Sequence, residues 1–265
     1  MKIIDFHTHF YPEKIAARAL QSVAGLPGVT PATDGTAEGL AASMRCCGIE
    51  GAVGLSLVNT PVNSRGVNHW AAGWNRVPFF MTGSFHPEEP DPAATVVQAA
   101  ALGLKGIKVH PEYQRFRFAD KRLYPAWEAC IEKELFVVTH AGADFSFQPP
   151  YRTGPSELAA FHRRFPQLKL VLAHFGSMDM WDAVEQELIG LPVYLDTAFV
   201  AGRLAPDRLT AMIRRHGAEW VLFGSDSPWA DQRAAIDYLD SLDLTQSERE
   251  AIFYRNAARL LQLPV

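Results

Sequence analysis

Residues 135–142 read LFVVTHAG: five uncharged residues in a row, then a histidine, a spacer and a glycine. A half-buried strand alternates apolar and polar side chains. An unbroken apolar run is the signature of a strand in a parallel sheet with both faces covered. The same arrangement returns at 168–176, LKLVLAHFG, again ending in histidine, spacer and glycine. Working outward, KIIDF (2–6), GAVGLSLV (51–58), PFFMTGSF (78–85), GIKVH (106–110), PVYLDT (192–197) and WVLFGSD (220–226) complete eight strand candidates.

Segments of helical period lie between them. DPAATVVQAAALG (91–103) opens on Asp91 with proline at the first helical position and closes on Gly103. LYPAWEACIEKE (123–134), PSELAAFHRRF (155–165) and APDRLTAMIRRHG (205–217) follow the same pattern, and TQSEREAIFYRNAARLLQL (245–263) reads as a closing helix with an apolar stripe. Alternating strands and helices fit either a closed (β/α)8 barrel or an open doubly wound sheet. The open sheet usually carries a glycine-rich phosphate turn after an early strand, and none follows the first one. The expected fold is therefore an α/β (β/α)8 TIM barrel, a single domain over residues 1–265 with a C-terminal closing helix.

Composition narrows the function. The chain is 48% hydrophobic and 20% charged with a formal net charge of -4, which argues against a nucleic-acid partner. No apolar run approaches the roughly 20 residues that span a bilayer, so no membrane partner is expected. Three cysteines, Cys46, Cys47 and Cys130, make no disulfide framework, and no basic-then-apolar leader is visible; a cytoplasmic location is expected. A homodimer is the default assembly.

The nine histidines are not scattered. His7, His9, His86, His110, His140 and His174 fall at or just past strand ends, while His69, His162 and His216 fall on helices. Core packing accounts for one or two buried histidines, not for six at one end of a barrel, where βα loops converge to build active sites. In FHTH, His7 and His9 share a strand face by the period of two. Alone, that pair suits a solvated edge strand as well as a metal site. Asp226 at the end of the eighth strand adds a carboxylate, after a Gly-Ser expected to let the backbone turn sharply. Several imidazoles and one carboxylate form a ligand set for a first-row divalent ion with a position left for water. Asp5, two residues before His7, is expected on the same face, supporting the ligands from below.

DFHTHF, GIKVHPEYQ, VVTHAG, VLAHFG, VLFGSDSPW and RNAARLLQL together resemble the amidohydrolase superfamily. More narrowly, they resemble its amidohydrolase-related branch of metal-dependent TIM-barrel hydrolases, which also contains decarboxylases similar to aminocarboxymuconate-semialdehyde decarboxylase. The resemblance implies His7, His9, His140 and Asp226 as ligands of one divalent metal, with zinc expected and manganese, iron or cobalt compatible. It implies His174 as a catalytic histidine beside that ion, or as a ligand if there are two. Lys108 would then be the bridging group, as a carboxylated lysine; otherwise it pairs with a buried carboxylate such as Asp5 or Asp196.

The primary expectation is a hydrolase acting on an ester, lactone or amide through a metal-bound hydroxide, with Asp226 and His174 as catalytic residues. The alternative is a metal-dependent, non-oxidative decarboxylase of an aromatic or unsaturated acid. A small-molecule substrate is expected either way. Its candidate contacts are His110 and His86 at strand ends, Arg117 or Arg152 for a carboxylate, and Trp229, Phe147 or Tyr151 for a ring. The Gly/Pro-rich loop 24–35 is a candidate cover for the pocket.

Overall fold

The computed structural model describes residues 1–21 and 29–264. All eight expected strands form: β1 (Ile4–Thr8), β2 (Gly51–Gly54), β3 (Phe79–Met81), β4 (Gly106–Val109), β5 (Phe136–Thr139), β6 (Leu170–Leu172), β7 (Tyr194–Asp196) and β8 (Val221–Leu222). They pair in parallel and in chain order, as one run from β1 to β3 and another from β4 to β8. Two parallel bridges, Gly83 to Ile107 and Thr8 to Ser227, join the runs. Gly83 N donates to Gly106 O at 2.8 Å on one side, and Phe6 N donates to Phe223 O at 2.7 Å on the other. These bonds close the barrel and leave no open edge.

The ladders are shorter than the apolar runs because side chains take over backbone bonding at the strand ends. Beyond β2, Ser56 N donates to Thr82 Oγ1 and Val58 N to Ser84 Oγ, each at 3.1 Å. The four mid-chain helices expected from sequence form at Pro92–Ala101, Tyr124–Glu132, Pro155–Arg164 and Pro206–His216. Helices Ala37–Cys47, Ser64–Trp74, Trp181–Glu187 and Gln232–Asp240 add to the outer ring, the last started by Asp231, whose side chain accepts from Ala234 N at 2.8 Å.

The pleat sorts side chains between two cores. Ile4, Phe6, Val53, Phe136, Val138 and Leu222 fill the barrel interior, while Ile3, Ala52, Ile107, Val109 and Val137 pack outward against helices. The closing helix seals the interior from below: Ala257, Ala258 and Leu261 pack against it, the two alanines being small enough to let the helix approach closely. This segment widens into a π-turn at Ala251–Arg255, and Ile252 O accepts a hydrogen bond from Phe223 N at 2.9 Å. The Phe253 ring lies 5.0 Å from that of Phe223.

One irregularity decides what β1 presents. Ile4 and Asp5 pair with Gly51 and Ala52, but Thr8 pairs with Gly54, so three residue steps on β1 oppose two on β2. The extra residue is a β-bulge, and it breaks the period of two. Phe6 already points inward, and His7, immediately after it, also turns inward. Asp5 faces the other way, which corrects its expected place below the ligands. Its carboxylate accepts from Ser225 N, Ser225 Oγ and Gln232 Nε2 at 3.0, 2.6 and 2.8 Å, tying β1 to the chain after β8 and to an outer helix.

Truncating Phe253 removes the aromatic link between β8 and the closing helix. Phe253→Ala is expected to lower the unfolding free energy by about 3–5 kcal/mol in urea denaturation. A loss under about 1 kcal/mol would contradict this role for the closing helix.

Candidate metal centre

Five histidines and one aspartate meet at the upper mouth of the barrel. Ring centroids lie 5.2 Å apart for His7–His9, 5.3 Å for His7–His174, 4.8 Å for His140–His174 and 4.2 Å for His110–His140. Asp226 Oδ1 lies 3.5 Å from His7 Nε2 and 3.3 Å from His9 Nε2. Donor atoms of His7, His174 and Asp226 all fall within 4.8 Å of one another, a group that could hold a metal ion.

Local backbone geometry aims these groups. His174 and Asp226 occupy the left-handed region, with φ 58° and 74°. That conformation costs a non-glycine residue on the order of 1–3 kcal/mol and persists where the surroundings fix it. Here His174 N donates to Asp196 Oδ1 at 2.9 Å and Asp226 N to His7 O at 2.9 Å. The sharp turn expected of Gly224-Ser225 is thus made by Asp226 itself. Gly224 serves a different need: a Cβ there would sit 2.8 Å from the Cβ of His7.

Hydrogen bonds on the far side of each ring fix its tautomer. A backbone carbonyl only accepts, so a ring nitrogen facing one carries the proton. His9 Nδ1 faces Leu55 O, His140 Nε2 faces Ala143 O and His174 Nδ1 faces Ala198 O, each at 3.1 Å. His7 Nδ1 is 2.8 Å from Asp196 Oδ2 and donates to that carboxylate. The remaining nitrogens, His7 Nε2, His9 Nε2, His140 Nδ1 and His174 Nε2, are left with lone pairs. Two of them, His140 Nδ1 and His174 Nε2, face each other at 3.0 Å, and the other two face a carboxylate oxygen. Such an arrangement repels itself until a cation enters. Burial pushes the His7 and His140 imidazoles well below their ordinary pKa, so protonating those rings is a poor remedy. The donor set fits a divalent metal ion.

Asp196 does for His7 what Asp5 was expected to do. The sequence carried the signal, since Asp196 closes an apolar run as the histidines do, but nothing there linked it to His7. Asp144, four residues past His140, was not legible from any period. His110 differs in kind from the four convergent rings. Its Nδ1 accepts from Tyr113 N at 3.5 Å, so its Nε2 carries the proton and faces Asp144 Oδ2 at 3.3 Å. It stacks on His140 with 9° between the planes and borders Tyr113, whose ring in turn packs against Phe147. His110, His140 and Asp144 form a second group of potential donor atoms.

Lys108 points inward from β4 and is 2% exposed. Burial lowers its pKa to about 8, against the pull of Asp196, Asp226 and Asp144. The expected pairing with Asp5 or Asp196 does not form, because both carboxylates are occupied elsewhere.

The other expected contacts lie apart from the imidazole chain. His86 is turned into its own loop, where its Nδ1 accepts from Glu88 N at 3.2 Å. Arg117 donates to Arg152 O at 3.0 Å and pairs with Glu157 at 3.4 Å, and Arg152 pairs with Glu112 at 3.7 Å. Trp229 helps to line a cavity of about 660 Å³ with Thr197, Phe199, Arg203, Ser225 and Tyr238, beside the metal centre and not over its donor atoms. Within the loop 24–35, residues 24–28 lie outside the described residues; Ala32 N beyond them donates to Pro228 O at 2.7 Å. No helix among the described residues is long and apolar enough to cross a membrane.

The chain belongs to the amidohydrolase family, whose model matches residues 4–263. None of the curated proteins matches it. Similar solved structures include an uncharacterised TIM-barrel protein from Bordetella bronchiseptica, 20% identical, with a TM-score of 0.76 and 99% of each chain covered. A 5-carboxyvanillate decarboxylase from Novosphingobium aromaticivorans, complexed with manganese and 4-hydroxy-3-methoxy-5-nitrobenzoic acid, is 16% identical at TM-score 0.75 over 98% of this chain and 96% of that one. A 2,6-dihydroxybenzoate decarboxylase from Rhizobium is 17% identical at TM-score 0.70 over 99% of both chains. The family and the barrel are as the sequence implied. The primary expectation of hydrolysis is corrected: the two of these structures whose activity is stated are decarboxylases, which favours the alternative over hydrolysis.

Asp196 gives a direct test of the tautomer argument. Asp196→Asn frees the His7 ring to flip or change tautomer, and divalent-metal affinity is expected to fall about 10–100-fold, measured by competition with a chelating dye. Unchanged affinity would mean that His7 does not bind through Nε2.

Proposed function

We propose that this chain is a metal-dependent, non-oxidative decarboxylase of an aromatic or unsaturated carboxylic acid, working as one barrel domain. The observation that carries the reading is the set of unprotonated imidazole nitrogens at the barrel mouth, two of them facing Asp226, on a fold shared with decarboxylases of hydroxylated benzoates. The residues that would hold the ion are His7, His9, His140 and Asp226, with His174 against them. Manganese suits this nitrogen and oxygen set as well as zinc does. When bound, the ion supplies a Lewis acid for an oxygen of the substrate.

The remaining chemistry belongs to the side chains. Loss of CO₂ breaks a carbon–carbon bond and requires one proton at the carbon left behind. Asp226 uses Oδ1 toward His7 and His9, and its Oδ2 makes no hydrogen bond among the described residues. Asp226 is ionised at rest, so its free Oδ2 first takes a proton from solvent and then passes it to that carbon. His174 has its Nδ1–H committed to Ala198 O, so its Nε2 accepts a hydrogen bond from a substrate hydroxyl and fixes the ring being protonated. His110, Tyr113 and Phe147 offer a face for that ring, edge against face. The donor residues His7, His174 and Asp226 are 1%, 4% and 8% exposed, so these donors are held away from bulk water.

A panel of hydroxylated benzoates, 5-carboxyvanillate and 2,6-dihydroxybenzoate among them, tests the reading by CO₂ release in H₂¹⁸O. Turnover with CO₂ and without ¹⁸O in the organic product is expected, with kcat reduced at least ~10²-fold by Asp226→Asn or His174→Asn. Turnover confined to esters, lactones or amides, with ¹⁸O uptake, would overturn it.

A further inference from the structure

The mechanism above leaves one buried cation without a task. Lys108 pairs in register with Val138, an interior residue, while its neighbours Ile107 and Val109 pack outward. Its amine therefore extends into the barrel, under the metal centre. The surrounding groups are Asp196 on β7, Asp226 after β8, Asp144 after β5 and the rings of His7, His110 and His140.

None of the three carboxylates reaches it. Asp196 is taken up by His7 Nδ1, His174 N and Ala198 N, at 2.8, 2.9 and 3.1 Å. Asp144 accepts from Ser146 N at 2.7 Å and faces His110 Nε2 at 3.3 Å. Asp226 Oδ1 is turned to His7 and His9. Lys108 Nζ has no hydrogen bond or ion pair among the described residues. An ammonium carries three donors, and leaving them unmet in an interior costs several kcal/mol. A fold that keeps such a group beside its reaction centre holds it for an acceptor that arrives with the ligand.

Resting on the decarboxylase reading, we infer that Lys108 binds an anionic oxygen of the substrate, and that this oxygen is one retained in the product. The second half follows from energetics. Pairing the departing carboxylate with an ammonium would stabilise the ground state more than the transition state, in which that charge disperses. An ammonium on a phenolate or on a second carboxylate keeps its partner throughout. The substrate class is thus an acid with a second anionic oxygen on the same ring or chain, spanning from the metal centre to Lys108.

Equilibrium binding separates this inference from the reading beneath it. Benzoate, 2-hydroxybenzoate and isophthalate are titrated into metal-loaded wild type, Lys108→Met and Lys108→Arg, with metal content measured alongside. Wild type is expected to bind 2-hydroxybenzoate or isophthalate at least ~10-fold more tightly than benzoate, the hydroxyl arm and the carboxylate arm telling which oxygen is used. Lys108→Met is expected to lose that preference, Lys108→Arg to keep part of it, and both to retain the wild-type metal content. Without ligand, Lys108→Met is expected to melt at least ~2 °C above wild type, because the unpaired charge is gone. The inference alone is overturned if the preference survives in Lys108→Met, if that variant melts below wild type, or if it loses metal. If no probe binds wild type, the inference fails together with the decarboxylase reading.

Discussion

Three backbone carbonyls, Leu55 O, Ala143 O and Ala198 O, organise the chemistry of this barrel. Each claims the proton of one imidazole and thereby turns the opposite nitrogen, as a bare lone pair, toward a neighbouring lone pair or carboxylate oxygen at the barrel mouth. Asp196 does the same for His7. Four lone pairs and a carboxylate oxygen held together are unfavourable by themselves and favourable around a cation. The positions of the carbonyls are set by the ends of the strands, so the demand for a cation is built into the backbone.

The barrel supplies that precision through two departures from regularity. The bulge in β1 turns His7 to the interior directly after Phe6, so an apolar layer below and a ligand layer above come from adjacent residues. The left-handed conformations of His174 and Asp226 aim their side chains along the barrel mouth. Hydrogen bonds to buried acceptors hold these departures: Asp5 ties β1 to the chain after β8, Asp196 fixes His174 N as well as His7 Nδ1, and His7 O accepts from Asp226 N. Structure and site are therefore one network, and Asp196 joins the two.

Much of this could be read from sequence because it depends on local patterns. Continuous apolar runs gave eight strands, their order gave a barrel, and histidines at the run ends gave the location of the centre. What failed to read depended on relations between distant residues. A period of two put Asp5 beneath the histidines; the bulge, invisible in sequence, put it on the opposite face. Asp196 and His7 are far apart in the chain, and nothing in the sequence shows that the carboxylates open to Lys108 are already bonded elsewhere. Arg117 and Arg152 read as free cations for the same reason, yet both are paired with glutamates, Glu157 and Glu112. The choice between hydrolysis and decarboxylation lies further still from the pattern, since one constellation of ligands serves both.

The central claim is that the converging lone pairs exist to hold one divalent ion. It is tested most directly by elemental analysis of protein purified without chelators, repeated after substitution of His7 and His140 together by alanine. The account predicts about one divalent ion per chain in the native protein and near none in the double variant. Native protein free of metal, or a double variant that retains it in full, would contradict the account.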